Sequence, residues 1–168
     1  MFYQFPSQFF IFSNLNCLTK NNMKKKKILI LNGPNLNLLH KRDKEIYGDS
    51  SLAKIEQNCL ELAKELDCKI DFKQSNSESE IVEIIQKAVD EFDGIIINAA
   101  AYTHTSIAIR DALEMFPNPK IELHISNIFK REEFRHNSYL SQVVDAVISG
   151  LGVSGYTIAL LAINELIS

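Results

Sequence analysis

Lys27-Ile-Leu-Ile-Leu-Asn-Gly-Pro-Asn-Leu-Asn37 is a short apolar run that stops abruptly at amides and a Gly-Pro pair. The run has the length of a buried strand, and the residues after it can hydrogen-bond rather than pack. Further on, Glu122-Leu-His-Ile-Ser-Asn127 repeats the pattern with a carboxylate, an imidazole, a hydroxyl and an amide. A parallel sheet delivers such groups to its carboxyl edge, where open α/β folds hold their ligands. Singly, Gly33-Pro34-Asn35 reads as a turn and His124 as a packed histidine. Two strands ending this way indicate a small-molecule site.

Outward from these segments the chain alternates strand and helix. Ile28 to Leu31 reads as the first strand. Leu52, Ile55, Cys59, Leu62 and Leu66 recur three and four apart, which is one helix face. Lys69 to Lys73 is a second strand. Ser77-Glu-Ser-Glu80 is a capping-box pattern opening a helix that turns Ile81, Ile84, Ile85, Ala88 and Phe92 inward. Gly94 to Asn98 is continuously apolar up to its amide, as a strand covered on both faces must be. Thr105 to Met115 reads as a helix stopped by Pro117 and Pro119. Ile121 to Leu123 and Ala146 to Ile148 complete the strands, and Val153 to Ile167 is a closing helix, apolar nearly all round. This alternation predicts an α/β fold: a flavodoxin-like, doubly wound, five-stranded parallel sheet with helices on both faces.

With 168 residues, 46% of them hydrophobic, the chain can build one domain core but not two. A formal charge of −3 and a single basic run, Lys24 to Lys27, argue against nucleic acid as a partner. No apolar stretch approaches membrane-spanning length. Cys17, Cys59 and Cys68 have no metal-ligand spacing; the latter two read as small core residues, suiting a reducing, cytoplasmic compartment.

Residues 1–22 are rich in Phe and Asn and lack helical or strand periodicity. They read as a disordered extension or as an upstream start with Met23 the functional one; an organelle signal is the remaining alternative. No basic residue precedes Lys20, which disfavours a secretory signal. The catalytic domain is expected over 23–168.

The polar groups fall at one sheet edge: Asn32 and Asn35 after the first strand, Asn98 after the third, His124, Ser126 and Asn127 after the fourth. Neither GxGxxG nor GxxxxGK[ST] occurs, so nucleotide and flavin have no motif support. His40, His104, His124 and His136 show no paired ligand spacing. No cofactor and no metal are expected.

In chain order stand Asn32-Gly-Pro-Asn-Leu-Asn-Leu-Leu39, Tyr47-Gly48, Gln74-Ser-Asn-Ser-Glu78, Asn98-Ala-Ala100, Thr103-His-Thr-Ser106, Arg110-Asp-Ala112, Glu122-Leu-His-Ile-Ser-Asn127, Arg131-Glu-Glu-Phe-Arg135, His136-Asn-Ser138 and Gly150-Leu-Gly-Val-Ser-Gly-Tyr156. Together, from about Lys27 to the C-terminus, they resemble the type II 3-dehydroquinate dehydratases, small flavodoxin-like lyases of the shikimate pathway. One departure is visible: the family's Asn-Ala-Gly-Gly after the third strand is Asn98-Ala-Ala-Ala101 here.

The resemblance implies loss of water from 3-dehydroquinate through an enolate, without Schiff base or metal, in a homododecamer built as a tetramer of trimers. It implies Tyr47 as the proton acceptor. A free tyrosine, pKa ~10, is mostly protonated at neutral pH; Arg42, five positions earlier, is the cation that would favour its phenolate. His124 would be the proton donor, with Glu122 on the same strand face to orient it. Asn35 and Asn98 would hold a water or the enolate oxygen, Ile125 and Ser126 the substrate carboxylate, and His104, Asp111 and Arg135 the ring hydroxyls. If His104 starts the helix, Asp111 lies on the same side. Arg131 shares a helical face with Arg135 and reads as structural or intersubunit.

A non-catalytic flavodoxin-like binding module is the alternative from another class, and it would need a phosphate loop or acidic receiver pocket. A lyase for a different small hydroxy acid is the alternative among enzymes. Biosynthetic and catabolic roles are equally compatible with the residues.

Overall fold

In the computed structural model the described residues are 24–41 and 51–167. Expectations for residues 1–22, Arg42 and Tyr47 lie outside them. The described strands are β1 (Lys27–Asn32), β2 (Lys69–Gln74), β3 (Gly94–Asn98), β4 (Lys120–His124) and β5 (Ala146–Ser149). The described α-helices are α1 (Leu52–Glu65), α2 (Glu78–Glu91), α3 (Ile107–Met115) and α4 (Gly155–Leu166). All strand pairings are parallel, in the order β2-β1-β3-β4-β5. The expected doubly wound sheet is therefore present.

Alternation along β1 builds both layers. Ile28 and Ile30 face one core with α1 (Ile55, Cys59, Ala63) and α4 (Ala159, Leu160, Ile163). Leu29 and Leu31 face the other, with α2 (Ile81, Ile85, Ala88) and α3 (Ile109, Ala112, Leu113). Every residue of β3 is buried, as its continuous apolar run requires. Truncating one of these fully buried side chains, Ile30→Ala for example, costs about 2–5 kcal/mol. No described helix is long and apolar enough to cross a membrane.

Two helix starts differ from the sequence reading. The helix expected from Thr105 begins at Ile107, because the Ser106 hydroxyl accepts from the Ile109 N–H at 2.9 Å and caps it. His104 sits instead in a preceding 3₁₀ stretch, Ala100–His104. The closing helix begins at Gly155, after a 3₁₀ turn over Gly152–Ser154. That helix is also two-faced: Tyr156, Ala159, Leu160 and Ile163 are buried while Ile158, Leu161 and Leu166 are exposed. Arg131 and Arg135 do not share an α-helix; the chain runs there through 3₁₀ turns over Ile128–Lys130 and Glu133–Arg135.

Candidate active site

The strand order reverses between β1 and β3, which opens a crevice at their carboxyl ends. A cleft of ≈ 440 Å³ lies there. Asn98, the last residue of β3, lines it, and Asn32, the last residue of β1, is its partner in register. Tyr156, from α4, places its hydroxyl between them. It donates to Asn32 Oδ1 at 2.6 Å and accepts from Asn98 Nδ2 at 2.9 Å. Burial pushes the Tyr156 hydroxyl well above the usual tyrosine range, so it remains a proton-bearing donor. Asn98 Oδ1 meanwhile accepts from the Ala100 N–H at 3.3 Å. With both ends of its amide held, Asn98 lines the cleft with one N–H of Nδ2 still uncommitted to these two contacts.

The turn after β1 is pressed against the turn after β3. Gly33 N–H donates to the Asn98 carbonyl at 2.7 Å, and a Cβ at Gly33 would stand 2.4 Å from the Ala99 carbonyl oxygen. Only glycine fits that approach. Asn35 has φ of 66°, and its N–H donates to Asn76 Oδ1 at 2.8 Å. Pro34, Asn35 and Leu36 form this wall of the cleft. Ala100, where the family pattern has glycine, takes φ of 53° and lines the cleft with Ala101. The departure noted in the sequence therefore falls on a left-handed residue.

On the β4 side, Glu122 and His124 point the same way, as alternation along a strand demands. His124 Nε2 donates to Glu122 Oε1 at 2.7 Å, with Glu122 wholly buried and His124 nearly so. The carboxylate can only accept, so Nε2 carries a proton and Nδ1 is the ring's second nitrogen. Ser138 also donates to Glu122. His124, Ile125 and Ser126 all line the cleft. His104 lies across it. Its Nδ1 donates to the Asn137 carbonyl at 2.7 Å, leaving Nε2 as an acceptor. Burial is the largest influence on this ring and lowers its pKa, keeping it neutral.

Arg131 and Arg135 close the cleft with positive charge. Arg131 NH1 reaches within 3.5 Å of Ser126 Oγ, so the structure adds to the cleft a residue that its sequence context marks as structural or intersubunit. Arg135 is steadied by Glu132, whose carboxylate accepts from Arg135 Nε at 2.9 Å. Its own backbone N–H, and after it Arg135, hold the Glu132 carboxyl below its usual range.

The structure thus brings Asn35, Asn98, His104, His124, Ile125, Ser126 and Arg135 to one cleft, with Glu122 behind His124. Asp111 is not among them. Since α3 starts at Ile107 and not at His104, helical spacing does not relate the two residues, and the Asp111 carboxylate accepts from Arg110 at 2.8 Å on an exposed face. Three contributors had no assigned role in the sequence reading: Tyr156, Ser138 and Glu132. The Glu132/Arg135 spacing of three was a usable signal for one of them. A tyrosine in an otherwise apolar helix was a signal for another, since its buried hydroxyl must find a partner.

The description "Dehydroquinase class II" attaches to the family model that matches residues 26–164. The 3-dehydroquinate dehydratase of Bartonella tribocorum is 56% identical over 133 residues, 79% of this chain and 89% of that one. The corresponding protein of Acaryochloris marina is 51% identical over 141 residues, 84% of this chain and 95% of its own length. Among solved structures, the type II dehydroquinase of Butyrivibrio crossotus superposes with a TM-score of 0.81 at 44% identity, covering 83% of this chain and 98% of that one.

Proposed function

This chain belongs to the class II dehydroquinase family, and from that premise we propose how its residues divide the chemistry. The activity is that of a type II 3-dehydroquinate dehydratase, a hydro-lyase of the shikimate pathway. The reaction removes a proton α to the ketone of 3-dehydroquinate and expels the β-hydroxyl as water, leaving a conjugated enone.

One observation carries the proposed assignment: a buried Glu122–His124 pair delivered by β4 into the same cleft as Ile125, Ser126 and Asn98. His124 is the proton donor to the departing hydroxyl, and Glu122 fixes its ring orientation and tautomer. Tyr47 is the base. Arg42 favours its phenolate, and both come soon after Lys41, where the 3₁₀ stretch beginning at the cleft residue Leu36 ends. Asn35 and Asn98 stabilise the enolate oxygen or the water beside it. Ile125 and Ser126 take the substrate carboxylate, near the charge of Arg131. Neutral His104, with Nε2 as acceptor, and Arg135 read the ring hydroxyls. Asp111, tied to Arg110 outside the cleft, is given no contact within its own chain's cleft.

The catalytic domain spans 23–168, in keeping with the matched residues 26–164. Free, buried Cys59 and Cys68 fit a reducing, cytoplasmic setting; burial pushes the Cys59 thiol up to about 12. Exposed Phe129, which shares a pocket with Val147 and Ser149 of the edge strand β5, and exposed Phe134 support self-association as a homododecamer, a tetramer of trimers.

Turnover of 3-dehydroquinate, read as the ultraviolet absorbance of the enone, tests the assignment directly. The enolate route requires that borohydride with substrate present leave activity intact. Substrate-dependent inactivation by borohydride would mean a Schiff base, and would sink it.

A further inference from the structure

Glu122 is a carboxylate with no exposed surface, and two side chains divide its oxygens. Oε1 accepts from His124 Nε2 at 2.7 Å and from the Ser138 hydroxyl at 2.8 Å; Oε2 lies 3.0 Å from the same hydroxyl. The Ser138 hydroxyl is itself an acceptor twice over, from the N–H of Leu140 at 3.1 Å and of Ser141 at 3.0 Å. A serine hydroxyl has one proton and two lone pairs. With both lone pairs taken by backbone amides, its proton is committed to the carboxylate. Ser138 is not among the residues lining the cleft; it lines a separate pocket with Asn127 and Ser149.

The residues on either side of Ser138 act on the opposite wall. The Asn137 carbonyl accepts from His104 Nδ1 at 2.7 Å, and the Tyr139 N–H donates to the Thr103 carbonyl at 3.0 Å. Three consecutive residues therefore hold the 3₁₀ stretch bearing His104 and the strand bearing His124.

We propose that Ser138 is a positioning residue for the dehydration: its hydroxyl locks the Glu122 carboxylate, and through it the ring orientation and tautomer of His124. This rests on the assignment of His124 as proton donor. Without that hydroxyl the buried carboxylate loses a donor it cannot replace from water. Glu122 then either rotates to seek another donor or takes the proton from His124. Both outcomes spoil a proton transfer that depends on ångström-level alignment, and neither touches the groups that bind substrate.

The test is a kinetic cycle on the full chain with 3-dehydroquinate, using Ser138→Ala, Glu122→Gln and the double variant, with His124→Asn alongside. Ser138→Ala is expected to lose about 10- to 100-fold in kcat, a part of the ~10²–10⁴ that a general acid supplies, with KM within about threefold of wild type. The double variant is expected to be no worse than Glu122→Gln alone, because Ser138 acts only through that carboxylate. Should Ser138→Ala fail to fold, Ser138→Cys keeps the shape with a much weaker donor and must show the same loss. A wild-type kcat in the folded variant, or losses that multiply in the double variant, overturns the proposal and leaves His124 as the donor. Turnover that survives His124→Asn overturns both.

Discussion

The rings of His104 and His124 lie nearly parallel across the cleft, 18° apart in plane with centroids separated by 6.1 Å. Two imidazoles so placed disfavour a double charge, and His104 is the one whose pKa burial lowers.

His104 is accordingly the neutral partner. Burial lowers its pKa most, with the charges of His124 and Arg135 in the same direction; the Asn137 carbonyl and Glu122 act against them. A histidine whose pKa is lowered by folding binds more protons in the unfolded chain. Its contribution to stability is complete above 6.5 and is lost as pH falls from there toward the depressed value. Urea unfolding across a pH series should therefore show a steeper acid-side loss in wild type than in His104→Asn. Parallel slopes for the two proteins would contradict it.

Tyr47→Phe keeps the ring and removes only the ionisable hydroxyl. It should lower kcat by ~10²–10⁴-fold with little change in substrate binding. Arg42→Gln should also be impaired, and should move the Tyr47-dependent limb of the pH–rate profile to higher pH by withdrawing a cation. A folded Tyr47→Phe protein that keeps more than about a tenth of wild-type turnover places the base elsewhere.

Tyr156→Phe should reveal what the Asn32–Tyr156–Asn98 chain is worth. It leaves Asn32 Oδ1 without a donor and Asn98 Nδ2 without an acceptor, both in buried residues. The expected loss is about 1–3 kcal/mol in urea unfolding, with a raised KM because the Asn98 amide is no longer held at that end. Wild-type stability together with wild-type KM would show the bridge to be idle.

Ala100→Gly should stabilise the protein. Ala100 sits at φ of 53°, where a Cβ is strained and glycine is not. Relief of about 1–2 kcal/mol of strain, less about 0.4–1 kcal/mol for the greater freedom of glycine in the unfolded chain, leaves an expected net gain of roughly 0.5–1 kcal/mol. Calorimetry on the pair decides it, and a lower melting temperature for the glycine variant would refute the reading.

Removing residues 1–22 should leave turnover and unfolding unchanged, since every matched residue begins at 26 or beyond. An insoluble or inactive protein starting at Met23 would give the extension a structural role.

The sequence by itself determined the sheet, its two covered faces and the strand ends that carry Asn32, Asn98 and His124. These arise from local periodicity: alternation in β1, an unbroken apolar run in β3, a three-and-four spacing in α1 and α2. The Glu122–His124 pair was legible for the same reason, two residues apart on one strand. What only the tertiary structure decided is which polar groups meet across the chain. Tyr156 finds Asn32 from 124 positions away, and Ser138 finds Glu122 from 16. No periodicity encodes such meetings, because they depend on how helices and turns close over the sheet once it is formed. The same closure brought Arg131 into the cleft, while Asp111, on the helix that Ser106 caps, is not among the lining residues. Pattern sets the elements through burial of apolar area, while the site is set by the need of each buried polar atom to find a partner in three dimensions.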